Sequence, residues 1–122
     1  FAFRAKAFKY LKKLNTVERE KTVHQIVSKV NGFLKHNDRR YVFQDHFFSK
    51  IGNFDSTIYY IRIDLNRRAI ISIDEDPIFG VVKVIIYSIC SHDNLQREIN
   101  GIMQSLYQKM LNDTSNDEEE TE

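Results

Sequence analysis

The stretch from Ile58 to His92 constrains the fold of this chain more than any other part of the sequence. From Thr57 it reads TIYYIRIDLNRRAIISIDEDPIFGVVKVIIYSICSH, with three runs rich in β-branched residues and two short polar connections between them. Apolar residues at every second position are typical of β-strands. The connections, 65–67 and 75–80, are too short to join parallel strands. The stretch therefore predicts three consecutive antiparallel strands.

Helical periodicity precedes and follows these strands. Ala5 to Leu14 predicts a short helix. Asn15, with Glu18 three residues later, is typical of a capping box and predicts the start of a second helix that ends by Asn37. This helix carries one apolar stripe with a period of 3.6 residues, made of Val23, Ile26, Val27, Val30, Phe33 and Leu34. A third helix is predicted from Asp93 to Leu111.

The remaining segments give weaker signals. Residues 1–4 predict an edge strand, and residues 38–56 are compatible with a short strand near 41–43 or 46–51. With these, the order of elements predicts an α+β fold. We expect a small antiparallel sheet with two N-terminal helices and one C-terminal helix.

Charge divides the chain into two parts. The last eleven residues, NDTSNDEEETE, contain six acidic residues and no basic one, so residues 1–111 carry 18 basic and 11 acidic residues, a net charge of +7. We interpret residues 1–111 as a single domain and residues 112–122 as an acidic, mobile tail, because the tail has nothing to bury. A basic domain favours a polyanionic partner, although the same charge can serve solubility alone.

Several classes of site are absent from the sequence. It contains no glycine-rich phosphate loop, no CxxC, no HExxH and no GxSxG motif. Its four histidines have no ligand-like spacing, so we expect no metal site and no cofactor. Cys90 is the only cysteine, which fits a cytoplasmic protein without an internal disulfide. No apolar run approaches the ~18 residues of a membrane span, so we expect no membrane partner.

Basic residues on the predicted strands are the strongest candidates for function. Alternation sends Arg62 to the side of the sheet opposite Ile61 and Ile63. Arg68 begins the next strand and can lie beside Arg62, and Lys83 belongs to the strand after that. Such cations can hold phosphates and stabilise the charge of a phosphorane-like transition state. The alternative is that these are ordinary solvent-facing strand residues, paired with neighbouring aspartates.

Five short motifs resemble the RelE/ParE superfamily of toxins from bacterial type II toxin–antitoxin systems, over most of residues 1–111. They follow one another in the order and spacing of that family: AFKYLKKL (7–14), VEREKTVHQIVSKV (17–30), YIRI (60–63), NRRAIISID (66–74) and SHD (91–93). The resemblance implies a microbial-ribonuclease-like, RelE-like fold. It also implies a cognate antitoxin as a protein partner.

In the branch that cleaves messenger RNA, the resemblance implies a metal-independent endoribonuclease acting on the ribosome. Arg62, Arg68 and His92 then match the catalytic positions, with His92 as the proton-transfer group. Candidate RNA-binding residues are Lys50, Arg67 and Lys83. The sequence after His92 departs from members that carry a late tyrosine, because Asp93, Asn94 and Leu95 follow. Two alternatives therefore stay open: a non-catalytic ParE-like inhibitor of DNA gyrase, and a protein-interaction domain without enzymatic activity.

Overall fold

One β-sheet with helices on both faces organises the part of the chain that the structure, a computed structural model, describes: residues 1–49, 55–76 and 78–120. In chain order its elements are β1 (Ala2–Phe3), α1 (Ala5–Lys12), α2 (Thr16–His36), β2 (Val42–Ser49), β3 (Asp55–Arg62), β4 (Arg67–Asp76), β5 (Val81–Ser91), a 3-10 turn (His92–Asn94) and α3 (Leu95–Glu120). The α+β class expected from the sequence is therefore confirmed.

The sheet has five strands in the order β1-β5-β4-β3-β2. Strands β2 to β5 are antiparallel neighbours, as their short connections require. β1 instead runs parallel to β5, with Ala2 beside Ile85 and Phe3 beside Ile86. The expectation of a purely antiparallel sheet is therefore wrong, and the sheet is mixed. Hairpin geometry fixes direction only for strands joined directly, whereas α1 and α2 lie in the chain between β1 and the other strands.

The two faces of the sheet bury two separate apolar clusters. The face covered by α1 and α2 carries the larger one, whose buried residues are Ala7, Leu11, Ile26, Val30, Val42, Ile61, Ile63, Ala69, Ile71, Ile73, Val84, Ile86 and Ile89. The face covered by α3 carries the smaller cluster, centred on Ile58, Ile70 and Ile99. Ile61 and Ile63 are on the first face while Arg62 is exposed, as strand alternation requires.

Helix boundaries follow their capping residues. The Asn15 side chain accepts a hydrogen bond of 2.8 Å from the Glu18 N–H, which confirms the expected N-cap of α2. Asn37 ends α2 in the left-handed conformation, with φ of 55°. α1 stops at Lys12, before the expected end at Leu14, because the chain must turn to place Asn15 in its extended cap conformation.

The C-terminal helix differs most from its expected bounds. α3 begins at Leu95, after the 3-10 turn, and continues to Glu120, past the expected end at Leu111. Helix geometry therefore extends into the acidic segment, although that segment lacks the apolar stripe on which the expected boundary was based.

Beside α3, β4 and β5 change register between Ile70 and Ile71. Opposite this shift Tyr87 is the extra residue, and it packs against the α3-side cluster.

Candidate nucleic-acid interface

The α3 side of the sheet is covered unevenly. α3 packs mainly on β5, where Ile99 is buried with Ile58 and Ile70. On the strands farther from α3, the same face carries the half-buried rings of Phe43 and Tyr60. Exposed Arg62 follows Tyr60 on that face. On this surface a basic side chain lies beside two stacked aromatic rings.

Three side chains of β2 and β3 form a row on this surface. Phe43 and Tyr60 are directly opposite in the register of the two strands, and their rings stack with centroids 5.1 Å apart and planes 20° apart. The Arg62 guanidinium carbon lies 5.7 Å from the centroid of the Phe43 ring, within the range of a cation–π contact. We call these three residues the arginine–aromatic row.

Arg68 lies directly opposite Arg62 in the register of β3 and β4, but its side chain is buried and binds the backbone. Its residue is only 7% exposed. Its Nη1 donates hydrogen bonds to the carbonyl oxygens of Asp64 at 2.7 Å, Arg67 at 3.1 Å and Leu65 at 3.3 Å. The sequence correctly predicted that Arg62 and Arg68 are neighbours on adjacent strands. It did not predict that Nη1 of Arg68 binds the β3–β4 connection.

Arg67 also serves this connection. Its Nε donates to an Asp64 carboxylate oxygen at 2.8 Å and its Nη1 donates to Thr22 Oγ1 on α2 at 2.9 Å. Burial alone would raise the pKa of Asp64, but hydrogen bonds from the Arg67 side chain and from the N–H groups of Arg67 and Asn66 outweigh it and lower the pKa. The connection is therefore a charged, internally bonded unit tied to α2.

His92 is anchored to the same connection. Its N–H donates a 2.8 Å hydrogen bond to the Asn66 carbonyl oxygen, and its side chain is exposed at the start of the 3-10 turn. Cys90, two residues earlier, lies opposite Arg68, which lies opposite Arg62. With a strand spacing of about 4.8 Å and a rise of about 3.3 Å per residue, the Cα atoms of Arg62 and His92 are roughly 12 Å apart.

The two remaining candidates do not join this group. Lys83 is exposed and lies opposite Asp74, six positions along β4 from Arg68, which corresponds to roughly 20 Å. Lys83 therefore belongs to the far end of the sheet. Lys50 lies outside the described residues.

Lys29 is a contributor that sequence reasoning missed. Its Nζ donates to the carbonyl oxygens of Arg62 at 2.7 Å and Ile63 at 2.8 Å, and it lies 4.5 Å from the centroid of the Tyr41 ring. Burial lowers the pKa of Lys29, Asp64 opposes this shift, and the Arg62 charge adds to it. Lys29 thus holds the end of β3 from which Arg62 projects. The only sequence signal for this contact was that Lys29 lies on α2 between Ile26 and Val30, which belong to the predicted apolar stripe.

A separate groove of about 510 Å³ lies beside α3, away from the row. Glu98 lines it, forms an ion pair with Lys6 and accepts a 3.3 Å hydrogen bond from the Ser88 hydroxyl. Nearby, the pKa of the Cys90 thiol is raised to about 11, mainly because the thiol is buried and to a smaller extent because of the Glu98 charge. This cysteine is therefore a protonated packing residue at neutral pH.

In the described part of the chain, no three His, Cys, Asp or Glu side chains cluster as a metal ion would need. None of the helices in the described ranges has the length and apolar character to cross a membrane.

No protein-family model matches the chain, and no match is found among curated proteins or solved structures. The resemblance to RelE/ParE toxins therefore rests on the sequence motifs alone.

Proposed function

We propose that this protein is a RelE/ParE-like toxin that cleaves messenger RNA on the ribosome without a metal ion. The observation that carries the proposal is the position of Arg62, which is exposed at the same end of the sheet as His92. Support also comes from the net charge of +7 over residues 1–111. The chain also has the order of elements expected from its sequence: a first strand, two helices, an antiparallel set of strands and a last helix.

The chemistry asks little of the protein. The ribose 2′-hydroxyl of the substrate loses its proton to solvent water as its oxygen attacks the adjacent phosphorus, the bond to the 5′-oxygen breaks, and the products are a 2′,3′-cyclic phosphate and a free 5′-hydroxyl. Arg62 would stabilise the additional negative charge on the phosphate oxygens. His92 would donate the proton that the departing 5′-oxygen needs, because histidine is the side chain that most often serves as a general acid or base.

Arg68 takes a positioning role in this proposal rather than that of a second phosphate ligand. Its Nη1 binds the carbonyl oxygens of the β3–β4 connection, and the Asn66 carbonyl oxygen of that connection holds the His92 N–H. Arg68 therefore fixes the distance between the phosphate-binding and proton-transfer groups, on which the rate of a positioned reaction depends strongly.

A cell-free translation reaction tests the proposal. Purified protein is added to a bacterial translation extract, and new 5′ ends in the messenger are mapped. We expect cuts in phase with codons for the wild type and at least a hundredfold slower cutting for Arg62→Met, a loss typical when a group that stabilises developing charge is removed. Arg39→Met is the matched control, because Arg39 is also exposed and its Nε donates a 3.2 Å hydrogen bond to Asn37 Oδ1.

The other outcomes assign the alternative functions. DNA breaks that depend on gyrase, without messenger cleavage, would replace the nuclease with a ParE-like inhibitor. Absence of both effects, together with harmless expression in cells, would favour a protein-interaction domain. For either toxin, co-expression of the small protein encoded by a neighbouring gene should relieve growth arrest, since an antitoxin is the expected partner.

A further inference from the structure

We propose that Phe43 and Tyr60 form a base-stacking subsite for single-stranded RNA beside the phosphate held by Arg62. The choice of RNA as the ligand rests on the proposed function. The subsite itself is argued from the geometry of the arginine–aromatic row.

The rings are presented as a stacking platform. They belong to directly opposed residues of β2 and β3, they lie nearly parallel with centroids 5.1 Å apart, and each is half-buried. The other ring pair, Phe33 and Tyr59, meets edge-on with planes 62° apart and packs against the larger core cluster. Tyr60 also packs against the α3-side cluster. Phe43 and Tyr60 nevertheless stay partly exposed on β2 and β3, because α3 packs mainly on β5.

The charge beside the rings indicates a nucleotide rather than an acidic peptide. Arg62 is exposed and lies 5.7 Å from the Phe43 ring centroid, so a cation and flat apolar surfaces are presented together. A nucleotide offers an anionic phosphate and a flat base at the same time, whereas an acidic side chain offers only the charge. Bases stack on aromatic rings and guanidinium groups in this way in many RNA-binding sheets.

The same geometry selects the single-stranded form. In a duplex, each base is already stacked between its neighbours, and its faces are not available to a protein ring. Only an unpaired base can lie against Phe43 or Tyr60 while its phosphate contacts Arg62.

Binding is measured without ribosomes. A fluorescently labelled ten-nucleotide RNA, single-stranded or annealed to its complement, is titrated with protein and followed by anisotropy. We expect Phe43→Leu and Tyr60→Leu each to weaken binding of the single strand by about tenfold or more. Tyr60→Phe should bind like the wild type, because the ring rather than the hydroxyl contacts the base.

Phe8→Leu is the control variant. Phe8 is a 53% exposed ring on α1 with the Lys12 ammonium 5.3 Å from its centroid, so it presents a ring beside a cation, as the row does, but without a second ring. This variant should leave binding unchanged. Urea unfolding midpoints of all variants show whether a loss of binding comes from a loss of folded protein.

Three results would overturn the subsite: unchanged binding by both leucine variants, equal affinity for single strand and duplex, or equal competition by poly-glutamate of matched length. The nuclease proposal fails independently of these results. A wild type that binds the single strand through its rings but never cuts messenger would keep the subsite and remove the nuclease. A wild type that cuts messenger RNA, together with Phe43→Leu and Tyr60→Leu variants that cut it equally well, would keep the nuclease and remove the subsite.

Discussion

Replacing Arg68 with alanine should destabilise the fold, whereas replacing its cross-strand neighbour Arg62 should not. Arg68 is 7% exposed and its Nη1 contacts three carbonyl oxygens of the β3–β4 connection. Hydrogen bonds from a charged donor contribute about 1.5–3 kcal/mol. We take about 2 kcal/mol, because one nitrogen serves all three acceptors and the exposed carbonyl groups regain water once the donor is gone.

The aliphatic stem of Arg68 adds a second loss. A buried arginine stem packs like an apolar side chain, and its removal adds about 1 kcal/mol by comparison with other truncations of buried groups. The free energy of unfolding of Arg68→Ala should therefore fall by about 3 kcal/mol, and its Tm by roughly 10 °C for a domain of this size. Arg62→Ala should change the free energy of unfolding by less than about 0.5 kcal/mol, as expected for an exposed residue.

Urea unfolding of the two variants measures this difference. Amide hydrogen exchange at His92 gives a local readout, because its N–H is bonded to the Asn66 carbonyl oxygen within the connection that Arg68 holds. Exchange should accelerate in Arg68→Ala and stay unchanged in Arg62→Ala. Equal stability of the two variants, with unchanged exchange at His92, would refute the structural role that we assign to Arg68.

Further predictions concern pH, thiol chemistry and the packing of α3. The folded-state pKa of Asp64 is lowered, so its contribution to stability is present above the unfolded pKa of about 3.9 and is lost as pH falls below it; urea unfolding of Asp64→Asn should depend less on pH below about pH 4. The Cys90 pKa of about 11 predicts alkylation by iodoacetamide at pH 8 more than about tenfold slower in the folded protein than in urea. Ile99 is 2% exposed, so Ile99→Ala should lower the free energy of unfolding in urea by about 3 kcal/mol. Leu111 is 69% exposed, so Leu111→Ala should lower it by less than about 0.5 kcal/mol. Equal losses would show that Ile99 of α3 does not pack in the core.

Local patterns in the sequence predicted much of the fold. The alternation around Ile61 and Ile63, the short connections and the Asn15 cap depend on neighbouring residues, and each was found as expected. Pairings between distant segments were not predictable in this way. The parallel contact of β1 with β5 depends on which sheet edge stays free after β2 to β5 have paired, and no local pattern records this. The register shift at Ile70 has no sequence signature either.

The candidate site was predictable only in part. Strand alternation and the hairpin register were enough to place Arg62 beside Arg68. Burial of Arg68 was not foreseeable, because arginine is rarely buried and its partners are backbone carbonyl groups, which every sequence contains. The stacking of Phe43 on Tyr60 was not predictable either. It depends on the pairing of β2 with β3, and the sequence left the bounds of β2 open.

The short first strand has a consequence for how the chain reaches its native state during synthesis. β1 and α1 are made first, yet the strand on which both rest, β5, is the last of the five to leave the ribosome. Closure of the larger core must therefore wait for nearly the whole domain, which is a sequence-distant pairing of the kind that slows folding. Until residue 86 has emerged, the apolar side of α1 lacks the β5 surface on which it packs. Nascent chains stalled before that point should be sensitive to protease throughout their first helix.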